Sequence, residues 1–568
     1  MAYIIQKKTK NNIYYYLATS ARVNGKPRIV SKKYLGTAEK IAQSVTGEII
    51  IPEPEYSTVL ELGAVLALYD VAERLGVRTI IERHVLKRNQ GLPVSDTILL
   101  ASINRAVMPK SKNSFYEWFE NTILPSFFKT ANMNSLSSQG FWCNMSQLDQ
   151  KTIQAIEDDI TKEVVKQYEI NTKCLLFDNT NFFTYIDTDN PATLAARGHS
   201  KEKRSDLKII GLSLMVSPDN NVPLFHEAYP GNKNDAKQFS EIIMKLKQRY
   251  KKLGLGDCDV TLVFDRGNNS EDNIEDTLKA DPLPFHFVGG LKLNQCTELL
   301  MIPLRNLCLL NGKTFKKTRA YRSSKKVFGR EFTAVMTFNP ELYKSQIRGI
   351  QNNIKKCTLR LQELQNSLEK WRKGEVTKGR RPGLTGVGNS VSSILSAEHM
   401  KVIFDYDIKK EDGFVCLSFK LCDERFADLR RRVLGRAILF TDRSDWTNEQ
   451  IVAAYRSQYH VEEAFKRMKD TDYLTFCPIY HFTDSKIRVH AFYCVLALLL
   501  TSLMNRELAD MGYDVSINKM LDSFQRIRQI VTHFPKDNTY KNNVVISYSG
   551  IEGMAKVYFD KHKLLSKL

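Results

Sequence analysis

The chain has 568 residues, 43% hydrophobic and 26% charged, with a formal net charge of +20. That length exceeds one ordinary core, so several domains are expected, and the composition is that of a folded soluble chain. The basic excess favours a polyanionic partner, nucleic acid before an anionic membrane. Ten cysteines form no CxxC and no zinc-finger spacing with histidine, which excludes a disulfide framework and suggests a reducing compartment. The start, MAYIIQKKTKNN, lacks the apolar core of a signal peptide. The strongest apolar run, AFYCVLALLLTSLM (491–504), is short for a bilayer and reads as a buried helix. A cytoplasmic protein with no membrane partner is expected.

Residues 1–50 read as strands around Asn24-Gly25, a two-residue hairpin signal. The lysine- and arginine-rich faces suit either a nucleic-acid arm or a solubilising hairpin. IPEPEYS (51–57) resembles a linker, and 58–167 carries helical patterns such as Ile153, Ile156, Ile160 and Val164 on one stripe. This region suits DNA binding or dimerisation, without a clear helix-turn-helix.

An α/β pattern fills 173–290. Strands are expected at 174–178, 207–216, 222–229, 260–265 and 285–290, with helices at 235–252 and near 270–279. The pattern breaks over 291–435 and resumes with the strand RAILFT (436–441). Within the break, Lys316, Lys317, Arg319, Arg322, Lys325 and Lys326 interleave with Phe315, Tyr321 and Phe328, a composition for phosphate contact with base stacking or for a solvated basic hairpin. Ile347, Ile350, Ile354, Cys357, Leu361, Leu364, Leu368 and Trp371 form a heptad stripe that needs a partner helix, preferably from the same chain.

Two buried-type strands run into a carboxylate: LLFDN with Asp178 and LVFDR with Asp265. In open sheets, function gathers at such strand ends. Thr447 and Gln450 form a capping box that starts a helix near Asn448. Seven-residue steps keep Tyr455, Glu462 and Lys469 on one face of it, with Lys466 close by, whereas Glu463 points about 100° away from Glu462. Asp178, Asp265 and Glu462 then make a set of hard oxygen ligands suited to Mg²⁺ or Mn²⁺, and two such ions promote phosphodiester displacement.

These residues resemble the DDE transposases of bacterial insertion sequences, in the group marked by a Y-x2-R-x3-E-x6-K helix. Tyr455, Glu462 and Lys469 match that spacing, and further likeness lies in FDNTNFF, GHSKEKRSDLK (198–208), PLFHEAYPGNKND (223–235), FDRGNNS and YHFTDSKIRVHAFYCVLALLL (480–500). The resemblance covers about 170–505. It implies an α/β fold: a ribonuclease-H-like catalytic domain (173–290 and 436–505) interrupted by a mostly β insertion (291–435), with helical N-terminal (58–167) and C-terminal (506–568) regions. It also implies Mg²⁺-dependent cleavage at transposon ends, strand transfer into target DNA, and a homodimer that pairs two ends. One position departs: Gln458 stands where the family has arginine, with Arg266 as another candidate for a phosphate. A catalytically inactive DNA-binding relative and a nuclease without strand transfer are the competing readings.

Overall fold

The apolar run leading to Asp178 becomes β1 (Cys174–Phe183), the hub of a nine-stranded mixed sheet in the computed structural model. The structure describes residues 2–9, 12–23, 26–46, 53–86, 91–187, 189–201, 204, 206–233, 235–254, 259–535 and 543–568. The remaining strands of the sheet are β2 (Ile209–Val216), β3 (Pro223–Pro230), β4 (Thr261–Phe264), β5 (His286–Leu291), β6 (Cys308–Leu309), β7 (Arg319–Val327), β8 (Arg330–Phe338) and β9 (Arg436–Thr441). They lie in the order β6-β7-β8-β9-β5-β4-β1-β2-β3. The neighbours β1, β2 and β3 pair antiparallel, β2 and β3 through a short connection, whereas β4 and β5 run parallel to β1. Parallel pairing requires crossovers, supplied by α1 (Asp235–Lys252) and α2 (Glu271–Leu278).

Every residue of β2 and of β4 is buried, so both faces of the sheet are covered. On one face Phe239 of α1 sits edge-on against Phe177 of β1 and Phe264 of β4, with ring centroids 5.1 Å and 5.0 Å away. Phe264, Phe287 and Phe440 continue that aromatic layer across β4, β5 and β9. Each such ring removes enough apolar surface to stabilise the fold by roughly 2–3 kcal/mol.

The segment 291–435 differs from the expected mostly β insertion. Its first strands, β6, β7 and β8, join the main sheet through β9. Its remainder is dominated by α3 (Pro340–Arg372), with one hairpin of Phe404–Glu411 against Phe414–Leu421. The heptad stripe of α3 finds its partner in the same chain: Ile350, Cys357, Leu361 and Leu368 pack with Val391, Met400, Val415 and Leu429. A long helix whose stripe is covered by short helices and a hairpin folds as its own small core, which explains why helix outweighs strand there.

The helix expected from Asn448 starts there, under the Thr447–Gln450 capping box. It is not continuous. It divides into α4 (Asn448–Arg456) and α5 (Tyr459–Met468). At the joint the Ser457 hydroxyl donates to the Ala454 carbonyl at 2.6 Å, and Gln458 N bonds Tyr455 O at 3.2 Å instead of the usual partner four residues back. A side chain competing for the ladder tightens the turn locally.

The apolar run 491–504 lies in α6 (Asp484–Asp510). Among the described residues this helix is long and apolar enough to cross a membrane, yet 94% of its most apolar window is buried inside the protein. Near its end Glu507 accepts from Arg74 (2.6 Å), Tyr168 (2.7 Å) and Tyr558 (2.6 Å), tying the first and last helices of this unit to its core.

This unit comprises Leu62–Arg526 and Ile551–Leu568, and a second comprises Met1–Glu61 and Ile527–Gly550. The second holds a sheet of Ala2–Lys8, Ile13–Val23 and Lys26–Gly36, and another in which Arg528–His533 pairs with both Tyr56–Glu61 and Val544–Tyr548. Asn24 and Gly25 lie outside the described residues, although Val23 and Lys26 are paired across them. The region 506–568 is therefore not wholly helical, and Tyr56 of the expected linker begins a strand. The pairing of Tyr56–Glu61 with Arg528–His533 spans almost the whole chain, so local patterning does not announce it.

Candidate active site

Register alone brings the two aspartates together. Phe177 and Phe264 are paired residues of the parallel strands β1 and β4, so the next residues, Asp178 and Asp265, stand side by side on adjacent strands. Because side chains alternate, both carboxylates point away from the face that holds Phe177, Phe264 and α1. Asp265 directly follows the end of its strand, whereas β1 runs on to Phe183, so Asp178 is mid-strand and only the pairing with β4 ends there.

Each aspartate is braced by its own local backbone. Asp178 Oδ1 accepts from Asn179 N at 2.8 Å, and Asp265 Oδ1 from Arg266 N at 2.7 Å. The same face receives α4. Gly290 follows Gly289, which is in register with Phe264, so Gly290 lies level with Asp265 on β5. A Cβ at Gly290 would collide with the Tyr455 hydroxyl oxygen. The missing side chain lets Tyr455 reach Asp265, to whose carboxylate it donates. Burial and then the Asp265 charge push the Tyr455 hydroxyl up to about 12, so it stays protonated as a donor.

Asp178 is pushed up to about 6, first by desolvation and further by the Asp265 and Glu462 charges, against the opposing pull of Lys201 and the Asn179 N–H. The three carboxylates are thus electrostatic neighbours, although they come from β1, β4 and α5. Among the described residues they do not close into a ready three-ligand cage. Hard oxygen donors with mutual repulsion still fit Mg²⁺ or Mn²⁺, which keep several waters and take substrate oxygens in their remaining positions. Glu462 is exposed, whereas Glu463 pairs with Arg467 at 2.6 Å. The two glutamates are separated as helical phase expects.

The surrounding side chains divide. Lys466 and Arg266 are exposed near the carboxylates, and the Arg266 charge acts on Tyr455. Lys469 caps α5, with its ammonium 5.5 Å from the Phe182 ring centroid, four residues along β1 from Asp178. Gln458 is buried at the joint, so its side chain does not face a surface phosphate in this conformation. In the basic stretch Lys316, Lys317, Arg319 and Lys326 are exposed. Arg322 instead donates to the carbonyls of Ser444 (2.8 Å) and Trp446 (2.7 Å), Lys325 pairs with Glu298, and Phe315 is buried. Those two cations and that ring are occupied in holding the sheet edge.

Three features escape a reading of the sequence. Lys201, inside the GHSKEKR segment, donates to the Asn179 carbonyl and opposes the raised pKa of Asp178. Gly290 is signalled only by paired glycines inside a strand, which often mark a close approach of another group. The third is a cleft of about 700 Å³ reaching Lys469, lined by Lys110, Lys112, Trp142, Tyr185 and Tyr480. Tyr185 and Tyr480 stack there at 5.4 Å, and burial holds the Lys112 ammonium down at about 7. Cationic and flat aromatic groups together suit a nucleotide chain. Its walls come from segments hundreds of residues apart, so no motif marks it.

Comparison with known proteins adds to this geometry. The structure is similar to piggyBac transposase in a cryo-EM synaptic complex with hairpin DNA, at 11% identity and a TM-score of 0.33, covering 81% of this chain and 78% of that one. It is also similar to Mos1 transposase in a paired-end complex with the left transposon end, at 13% identity and a TM-score of 0.15, covering 36% of this chain and 60% of that one. No curated protein sequence matches the chain. The family model described as the transposase DDE domain matches residues 176–500, more than half of the sequence and the span that holds Asp178, Asp265 and Glu462. The chain belongs to the transposase DDE domain family.

Proposed function

We propose that this transposase binds the ends of its own mobile element, cleaves a phosphodiester bond there and joins the freed 3′-hydroxyl to target DNA. The observation that carries the reading is the register pairing of Asp178 and Asp265, with Glu462 turned onto the same site by α5. Asp178, Asp265 and Glu462 would hold one or two Mg²⁺ or Mn²⁺ ions, which when bound activate the attacking oxygen and stabilise the leaving one. Tyr455 orients Asp265 through its hydrogen bond. Lys201, Arg266, Lys466 and Lys469 supply positive charge for the phosphates on either side of the scissile bond. The exposed Lys316, Lys317, Arg319 and Lys326 would hold flanking duplex. The strand order β3-β2-β1-β4-β5, with carboxylates on the two central strands, supports a ribonuclease-H-like core. The Tyr455, Glu462 and Lys469 spacing supports the insertion-sequence group, and with it a cut-and-paste reaction by a homodimer on cytoplasmic DNA.

The test is Mg²⁺-dependent cleavage and joining of labelled element-end DNA by the wild-type chain and by Asp178→Ala, Asp265→Ala and Glu462→Ala. Each variant is expected to lose both steps while keeping end binding. Full strand transfer by Glu462→Ala would refute the assignment. A chain that cleaves ends but never joins them would be a nuclease of the same fold, the competing reading.

A further inference from the structure

A second cationic site lies away from the carboxylates. Arg436, the first residue of β9, is 5% exposed. Its Nη1 donates to the carbonyls of Leu300 (3.2 Å) and Ile302 (3.1 Å) and to Met336 Sδ (3.3 Å). Its Nε is buried and has no hydrogen-bond partner among the described residues. Arg249 and Arg443, buried to a similar degree, each hold an aspartate, Asp158 at 2.9 Å and Asp259 at 2.6 Å. Arg436 has no ion pair among the described residues. Arginine cannot shed its proton, and an unpaired buried charge is costly, so a counter-anion is the missing partner.

A cleft of about 810 Å³ opens at this guanidinium. Leu300, Ile302, Phe338 and Tyr343 line its apolar part, and Arg430, Arg431 and Arg432 stand along its wall, with no acidic residue in the lining. Asp428 outside the lining serves both Arg431 (2.8 Å) and Arg432 (2.6 Å), and Arg430 lies over the Phe426 ring at 5.7 Å. Basic residues in the last turn of a helix suit its dipole. That accounts for the wall and not for the buried Arg436 behind it.

Strand register locates the cleft. Leu439 of β9 is paired with Gly290, which is level with Asp265, and Arg436 lies three residues further along β9. It is therefore about 10 Å along and about 10 Å across from Asp265. Alternation places it on the other face of the sheet but at the same edge, within one turn of duplex (about 34 Å).

We propose that this cleft is a backbone-gripping subsite for the duplex whose scissile bond lies at Asp178, Asp265 and Glu462. Arg430 and Arg431 hold phosphate oxygens, Arg436 supplies the buried charge behind them, and a sugar rests on Phe338 and Tyr343. The subsite rests on the proposed function, in which the substrate is DNA.

The test is fluorescence anisotropy of the full chain with a labelled duplex of roughly 40 base pairs, over a salt series from about 50 to 300 mM. Arg430→Gln with Arg431→Gln changes exposed side chains only, and its slope of log K against log salt is expected to be shallower by ~2, about 0.9 per phosphate. Arg436→Met is expected to flatten the slope by ~1, whatever the loss of its bonds to the Leu300 and Ile302 carbonyls does to Tm. An unchanged slope in the double variant overturns the subsite, as does an Arg436→Met that leaves the slope alone. Cleavage by the wild type together with an unchanged slope in these variants sinks the subsite and spares the catalytic reading. The slope change in a chain that cleaves no end DNA with any divalent cation sinks the catalytic reading instead.

Discussion

Gly290→Ala tests whether the close approach of α4 to the sheet is what seats Tyr455. Gly290 lies in an extended strand, so the backbone itself favours alanine, by roughly 0.5–1 kcal/mol. The new Cβ, however, would collide with the Tyr455 hydroxyl oxygen and lie 3.0 Å from Cζ and 3.3 Å from Cε2. Relieving such overlap by shifting a packed ring costs about 1–3 kcal/mol. The contact outweighs the backbone gain, so a net loss of ~1–2 kcal/mol is expected. Cleavage should fall further than stability, because Tyr455 can no longer orient Asp265. Tyr455→Phe removes the colliding oxygen and leaves contacts that a shift of a few tenths of an ångström relieves. The double variant should therefore regain most of the stability without regaining activity, giving a coupling of ~1 kcal/mol in a double-mutant cycle. Thermal melting and end-cleavage assays on the four proteins decide it. A Gly290→Ala chain as stable and active as wild type would refute the argument.

The same geometry sets other expectations. In the absence of divalent cations, Asp178 holds its proton in the fold up to about 6, whereas the unfolded chain releases it near 3.8. Stability should therefore fall as pH rises through that window, by at most ~3 kcal/mol, and then level off. Denaturant titrations from pH 4 to 7 should show the wild type losing stability relative to Asp178→Asn across the window, and a difference that stays constant would contradict the raised pKa. Glu507→Ala should destabilise the unit by about 1–3 kcal/mol, because the Tyr168 and Tyr558 hydroxyls lose their acceptor while Arg74 keeps Asp70 at 2.9 Å. A melting temperature within one degree or so of wild type would show that network to be idle. Glu463→Ala removes the pair with Arg467, whose side chain is 12% exposed and keeps its bond to Asn518, and cleavage at wild-type rate with a stability loss of about 1–3 kcal/mol is expected. Loss of cleavage there would mean that the roles of Glu462 and Glu463 are exchanged.

Much of this arrangement was legible locally. The apolar tetrapeptides before Asp178 and Asp265, the Thr447–Gln450 cap and the heptad stripe are short-range patterns, and each formed the element its period requires. The break at Ser457 was not legible, because a 100° step assumes an unbroken ladder and a serine hydroxyl interrupted it. Burial of Gln458 comes from that joint. The occupied state of Arg322 and Lys325 was equally hidden, since their partners lie more than a hundred residues away for one and across a loop for the other.

The sequence by itself determined the order of strands and helices around Asp178, Asp265 and Glu462, and the separation of Glu462 from Glu463, because alternation and helical phase act over a few residues. Only the tertiary structure decided that Asp178 and Asp265 are register neighbours, that Gly290 makes room for Tyr455, and that β6, β7 and β8 extend the main sheet. Those outcomes depend on which strands pair and on what volume is left between packed elements. Both are set by the minimum of the whole chain, since a single residue's choice of strand or helix says nothing about the neighbour it meets.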